Sequence, residues 1–247
     1  MFETNARGIL LDIEGTTSSI RFVYDVMFPF VRENVASFLQ GSWNDQAVQD
    51  CLPVLAKDLN QGSLENWFDG LSVDQQQSAV VDGVIGLMDA DVKATGLKQL
   101  QGLIWNDGFK SGQMVAHLYD EVADCIKRWN QAGLDVRIYS SGSIQAQKLF
   151  FGHTVAGNLL DQLGGHYDTT TGPKQESSSY KTIAAEFDCQ PNEILFVSDV
   201  VAELEAARSA ELQALLSLRP GNKPVEDGHG FAEVESFDDI NVVSHAG

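Results

Sequence analysis

Positive charge is scarce in this 247-residue chain: 16 Lys and Arg stand against 35 Asp and Glu, a formal charge of −19. Nucleic acid and anionic membrane both need a positive surface, so neither is expected as a partner. An anionic substrate would have to be held by a local cation or a metal, against the field of the whole molecule. Cysteine is sparse as well. Cys51, Cys125 and Cys189 are scattered and odd in number, with no metal-ligand spacing and no disulfide framework, which suits a reducing cytosol. No apolar stretch approaches the ~20 residues of a membrane span, and the first residues lack the basic and apolar regions of a secretory leader. Internal repeats and low-complexity tracts are missing too. What remains, 43% hydrophobic and 21% charged, is ordinary globular composition, and a soluble cytoplasmic protein is expected.

Strand-like alternation is absent between about residues 20 and 115. There the apolar residues recur at three/four spacing: Phe22 to Leu39, interrupted by Pro29, then Leu52 to Leu59, Val80 to Met88, and Leu97 to Trp105. Gln61-Gly62-Ser63 and Asp74 to Gln77 read as polar connectors between these helices. Outside this stretch short apolar runs alternate with helical periods. Ile9-Leu10-Leu11, Val136 to Tyr139, Ile194 to Val197, Leu215 to Leu218 and a short Phe231 to Val234 are expected strands. Helices fit Val122 to Trp129, the segment after Ser143, Tyr180 to Phe187, and the segment through Leu204 and Ala207. Such alternation implies an α/β fold with a doubly wound parallel sheet, covered on both faces. The expected division is a core of residues 1–19 and 116–247 with a helical cap inserted at 20–115. Because that insertion leaves directly after the first core strand, it is expected to act as a lid over the strands' C-terminal ends.

Chemistry-bearing residues fall at strand ends. Asp12-Ile13-Glu14-Gly15-Thr16-Thr17 delivers two acids and small hydrogen-bonding residues just where a parallel sheet keeps its active site. Alone, this would equally suit an acidic turn closing a core strand. Ser140-Ser141-Gly142-Ser143 follows a second strand and opens a helix, so hydroxyls and a helix N-terminus could receive an anion; a plain Ser N-cap turn is the simpler alternative. Lys174 lies in a loop, where most lysines are merely solvated. Ser198-Asp199 ends a third strand, with Glu203 one turn later on the same helix face. Carboxylates there suit Mg²⁺, though Asp199 could instead be an N-cap.

The order of these motifs resembles the haloacid-dehalogenase-like superfamily of phosphotransferases. Glu14 stands where most phosphatases of that superfamily carry Asp. Together with Leu97 to Gly102, Ile138 to Ser143, Ala146 to Leu149, Phe151 to Thr154 and Arg219-Pro220-Gly221-Asn222, it makes the chain similar to the enolase-phosphatase family of methionine salvage. That resemblance runs from residue 9 to about 222. It implies that Asp12 is the nucleophile and a metal ligand, that Glu14 is the general acid/base and contributes to the metal site, and that Asp199 is the second carboxylate on one Mg²⁺ per subunit. Ser140, Ser141 and the Gly142 amide would bind phosphate, Lys174 would bridge phosphate and Asp12, and Glu203 would orient the metal's waters. The implied substrate is a phosphorylated diketone, 2,3-diketo-5-methylthiopentyl-1-phosphate, enolised and then dephosphorylated; the chain is expected to be a monomer. Phe22, Tyr24, Phe28 and Trp105 are candidates to touch its methylthio tail, or else simply core. A phosphatase for another small metabolite, or a phospho-accepting signalling domain, would share much of the motif set.

Overall fold

The structure, a computed structural model, describes residues 1–243. Its chain forms two compact units: Met1–Val23 together with the chain from Val115 onward, and Tyr24–Met114. In the first unit β2 (Gly8–Leu11), β3 (Asp135–Tyr139), β4 (Gly165–Tyr167), β5 (Ile194–Ser198), β6 (Gln213–Ser217) and β7 (Ala232–Val234) make one sheet. Its order is β4-β3-β2-β5-β6-β7 and every pairing is parallel. β1 (Phe2–Thr4) and β8 (Ile240–Val242) pair separately, also in parallel. Every residue of β2 and β5 is buried, so both faces of the sheet centre are covered. Tyr139, Tyr180, Phe196 and Leu204 belong to one packed cluster there, which ties β3 and β5 to the helices Ser177–Ala184 and Val201–Ser209. The chain runs outward from β2 to β3 and β4, then crosses to β5 on the other side of β2. That reversal puts the switch point, where α/β sheets bind ligands, at the ends of β2, β3 and β5.

The second unit is all helical among its described residues. Helices Phe28–Ser42, Gln46–Asp58, Val73–Asp89 and Thr95–Lys110 enclose Val31, Val35, Leu52, Leu55, Val84 and Leu100. Gly96 lets two of them meet closely, since a Cβ there would lie 2.5 Å from the Leu55 amide nitrogen. Asp58 then accepts the Gly96 N–H at 2.6 Å and caps the last helix from its neighbour.

Several expectations need correcting. Asp74 to Gln77 is not a connector but the first turn of Val73–Asp89. Ser72 and Gln75 form a reciprocal capping box that satisfies the helix's free amides, and polar residues there start the helix rather than separate it. The break near Pro29 precedes it: Val23–Met27 is a π-helical stretch, and Pro29 sits in the first turn of Phe28–Ser42, where its missing N–H costs nothing. β1, β4, β8 and the short helix Leu64–Phe68 escaped the periodicity reading. No helix among the described residues is long and apolar enough to cross a membrane.

Candidate active site

Asp12 comes directly after β2, and its amide extends the sheet by donating to the Val197 carbonyl at 3.0 Å. The chain then folds sharply back. Thr17 and Ser18 amides both reach the Ile13 carbonyl at 3.0 Å, and Gly15, at φ +70°, takes the left-handed conformation that favours glycine. Thr17 Oγ1 closes the turn onto the Asp12 carbonyl at 3.2 Å. The Asp12 side chain is thereby fixed and buried. Its Oδ1 accepts from the Ile13 N–H at 2.8 Å and from Lys174 Nζ at 2.7 Å. Among the described residues Oδ2 meets only Ser198 Oγ, at 3.3 Å, and that hydroxyl is closer to Glu203 Oε2, at 2.9 Å. Oδ2 is therefore the less engaged oxygen.

Lys174 is far from the solvated lysine of an ordinary loop. It is 8% exposed, with its ammonium 2.7 Å from Asp12 Oδ1 and 2.7 Å from Glu203 Oε2. Burial alone would favour the neutral amine, but Asp12 and then Glu203 outweigh it and hold the pKa above the ordinary lysine value. Three buried or half-buried hydroxyls hold the loop itself. Tyr139 donates to the Gly172 carbonyl at 2.8 Å, Ser179 to Pro173 at 2.7 Å, and Tyr180 to Lys174 at 2.7 Å. Three successive carbonyls are thus satisfied by side chains of β3 and of the helix that follows.

The Ser140 hydroxyl donates to Glu14 Oε2 at 3.2 Å and accepts the Gly142 amide at 3.2 Å. Gln147 steadies this loop, donating to the Gly142 carbonyl at 2.8 Å and the Tyr167 carbonyl at 2.7 Å. The expected free helix N-terminus is partly taken. Asp168 accepts the Ile144 N–H at 2.9 Å and Ser143 accepts that of Ala146 at 3.2 Å, because a carboxylate already meets the dipole there. Ser141 stays exposed. Asp199 is no N-cap, as Val200 occupies that position without a side-chain bond. Phe22 packs against Phe150 with ring centroids 5.8 Å apart, so it is core of the first unit. Tyr24, Phe28 and Trp105 make a chain of ring contacts in the second, at 5.9 and 6.2 Å.

Acid outnumbers base in this cluster. Burial first, and the Asp12 charge second, push Asp199 and Glu203 each up to about 7 and raise Glu14 as well. Asp12, Glu14, Asp199 and Glu203 face the one ammonium of Lys174, a donor set of oxygens that fits a hard divalent cation. Gly15 leaves room beside it: a Cβ built there would collide with Asp199 Oδ2. Among the described residues no three His, Cys, Asp or Glu side chains form a cage. An ion held by two carboxylates, a carbonyl and water, as Mg²⁺ prefers, needs none.

An Asp, a following acid, a Ser loop, a buried Lys and a second Asp, carried by the segments that follow four neighbouring strands, define a class of phosphoryl-transfer hydrolases. Comparison with known proteins narrows it. The profile of the haloacid dehalogenase-like hydrolases matches residues 6–211. The enolase-phosphatase E1 of Synechococcus elongatus is 45% identical over 235 residues, covering 94% of this chain and 96% of that protein. That of Drosophila melanogaster is 40% identical over 237 residues, covering 95% and 93%. Among solved structures, the UTR4 protein of Saccharomyces cerevisiae superposes with a TM-score of 0.77 at 33% identity, covering 95% of this chain and 99% of that one. The chain belongs to the haloacid dehalogenase-like hydrolases and, within them, to the enolase-phosphatase E1 family.

Sequence reasoning picked out Asp12, Glu14, Ser140, Lys174, Asp199 and Glu203, and the fold gathers them. It missed the hydroxyl of Ser198 as the link between Asp12 and Glu203, and it missed Gln147, Tyr139, Ser179 and Tyr180 as supports. No local signal marks the last three, since their partners are backbone carbonyls of another loop.

Proposed function

We propose that this chain is a Mg²⁺-dependent enolase-phosphatase of methionine salvage. It enolises 2,3-diketo-5-methylthiopentyl-1-phosphate and then dephosphorylates it to 1,2-dihydroxy-3-keto-5-methylthiopentene. The observation that carries the reading is the buried Lys174 ammonium seated 2.7 Å from Asp12 Oδ1, in a chain 45% identical to an enolase-phosphatase. Asp12 Oδ2, the less engaged oxygen, attacks phosphorus, and the bond from phosphorus to the ester oxygen breaks with its electron pair left on that oxygen. Glu14, two residues on and held by Ser140, protonates the leaving oxygen and then takes a proton from the water that attacks the aspartyl-phosphate. Phosphate leaves and Asp12 is restored. Lys174 keeps its charge throughout and holds both Asp12 and a phosphate oxygen, while Ser140, Ser141 and Gly142 supply donors to the others. Glu203, itself held by the Ser198 hydroxyl, pairs with Lys174 beside Asp12.

One Mg²⁺ per subunit would be held by Asp12, Asp199 and the Glu14 carbonyl. Bound there, it would supply positive charge and Lewis acidity to the reacting phosphate and the diketone. All these groups come from one chain, so a monomer suffices, and three free cysteines suit a reducing cytoplasm. The test is Asp12→Asn with Mg²⁺ and the diketone phosphate, following enol absorbance and phosphate together. Phosphate release is expected to fall by more than about 10³-fold. Release at the wild-type rate would remove Asp12 as nucleophile and the reading with it.

A further inference from the structure

Asn222 lies in the loop after β6, and its amide is oriented by its own hydrogen bonds. Nδ2 donates to the Gly15 carbonyl at 2.9 Å and to the Ser217 carbonyl at 3.2 Å. Turning the amide over would set Oδ1 against two carbonyl oxygens, so nitrogen and oxygen are unambiguous. Oδ1 is closed off from solvent and has no hydrogen-bond partner among the described residues. What it shares is a place at Gly15. The point a Gly15 Cβ would occupy lies 2.8 Å from Asn222 Oδ1 and collides with Asp199 Oδ2. Two oxygen acceptors therefore converge over one α-carbon, and Asp199, ionised when it ligates a metal, has no proton to give an amide oxygen. Buried acceptors in native proteins are satisfied, so a donor or a cation belongs with this pair.

We infer that Asn222 Oδ1 accepts a hydrogen bond from a water in the coordination sphere of the Mg²⁺ held by Asp199. Asn222 is then a positioning residue of the metal site, while its Nδ2 ties the same loop to the Gly15 carbonyl of the catalytic turn. This inference rests on the Mg²⁺ site proposed above. Ser217 offers the control, because its hydroxyl also donates to the Gly15 carbonyl, at 3.2 Å.

The experiment is calorimetric titration of MgCl₂ into metal-free full-length protein, with melting curves of the metal-free forms. Asn222→Ala and Ser217→Ala each remove a donor from the Gly15 carbonyl, but only the first removes Oδ1. Partners of metal-bound groups change affinity by about 10–100-fold, and a weakening of that size is expected for Asn222→Ala, with Ser217→Ala close to wild type. Asn222→Asp keeps an acceptor oxygen while losing the Nδ2 donor. It should retain Mg²⁺ affinity even though its metal-free melting temperature falls, and it serves if Asn222→Ala does not fold. Equal weakening by Asn222→Ala and Ser217→Ala, loss of affinity in Asn222→Asp, or an unchanged Asn222→Ala overturns the inference alone. A wild-type protein that shows no saturable Mg²⁺ binding overturns the underlying metal site instead.

Discussion

Removing one oxygen from Tyr180 tests whether the Lys174 loop is positioned or merely stable. Tyr180 is fully buried, and its ring sits edge-on to Phe196 and Tyr139 at 5.0 and 5.5 Å, contacts that Tyr180→Phe keeps. What disappears is the hydroxyl donated to the Lys174 carbonyl at 2.7 Å. A buried carbonyl left without a donor costs about 1–3 kcal/mol. Each kcal/mol lowers the melting temperature of a domain of this size by roughly 2–4 °C, so a fall of roughly 2–12 °C is expected by calorimetry. Catalysis should respond separately. Asp12 and Glu203 still hold the ammonium, so the charge stays, but a backbone freed at residue 174 lets it drift from the reacting phosphate. Because misplacement of about 1 Å costs up to about 10²-fold, a loss of about tenfold in kcat with a smaller change in KM is expected. Ser179→Ala frees the adjoining Pro173 carbonyl, and its effect should be non-additive with that of Tyr180→Phe, since both act on one loop. A variant that melts lower yet keeps wild-type kcat would refute positioning and leave Tyr180 a packing residue.

Gly15→Ala places a side chain at φ +70°, which costs about 1–2 kcal/mol, and drives its Cβ into Asp199, which costs about 1–3 kcal/mol more. Urea unfolding should show a loss of about 2–5 kcal/mol together with impaired phosphate release; a wild-type midpoint would contradict the geometry. His166 gives a pH window. Burial, aided by Lys148, lowers its pKa from 6.5 to about 4. Above pH 6.5 both folded and unfolded chains hold it neutral. As pH falls from 6.5 to 4 only the unfolded chain gains the proton, so stability drops across that interval and not above it. The full shift would correspond to roughly 3 kcal/mol at 1.36 kcal/mol per unit, and its partial exposure reduces that to about 1–2 kcal/mol. Melting curves of His166→Gln should be flatter than wild type between pH 4 and 6.5, and parallel curves would remove His166 from the acid response.

Legibility followed the length of the signal. β2 and β5 were readable because a buried parallel strand is an unbroken apolar run, Ile9 to Leu11 or Ile194 to Val197. The four long helices of the second unit were readable because each carries a stripe over two or more turns, whereas Leu64–Phe68 is too short to show one. β4 was not, since Gly165-His166-Tyr167 has no apolar run and becomes a strand only by pairing with β3. β1 and β8 are likewise three residues each, about 240 positions apart in sequence, and nothing in either names the other. Asp74 to Gln77 misled because glutamines look like a linker until Ser72 is seen to cap them.

The site divides along a different line. Its charged members were legible because acids at strand ends are unusual enough to notice, and their order along the chain is specific. Their electrostatic condition was not, because burial is a property of the assembled sheet. A lysine in Thr171 to Lys174 looks solvated until Tyr139, Ser179 and Tyr180 draw the loop inward by its carbonyls. Once there, the ammonium meets Asp12 and Glu203 with Glu14 and Asp199 beside them, four acids to one cation, in a protein already at −19. Breaking that pairing would strand a buried charge, which fixes Lys174 more tightly than any surface pair would. A phosphate arriving at such a place brings more negative charge to a cluster whose acids burial and mutual repulsion already push toward neutrality. The scarcity of positive charge along the chain and the oxygen-rich surroundings of Asp199 therefore point the same way: an anion and a cation bound at these strand ends would each favour the binding of the other.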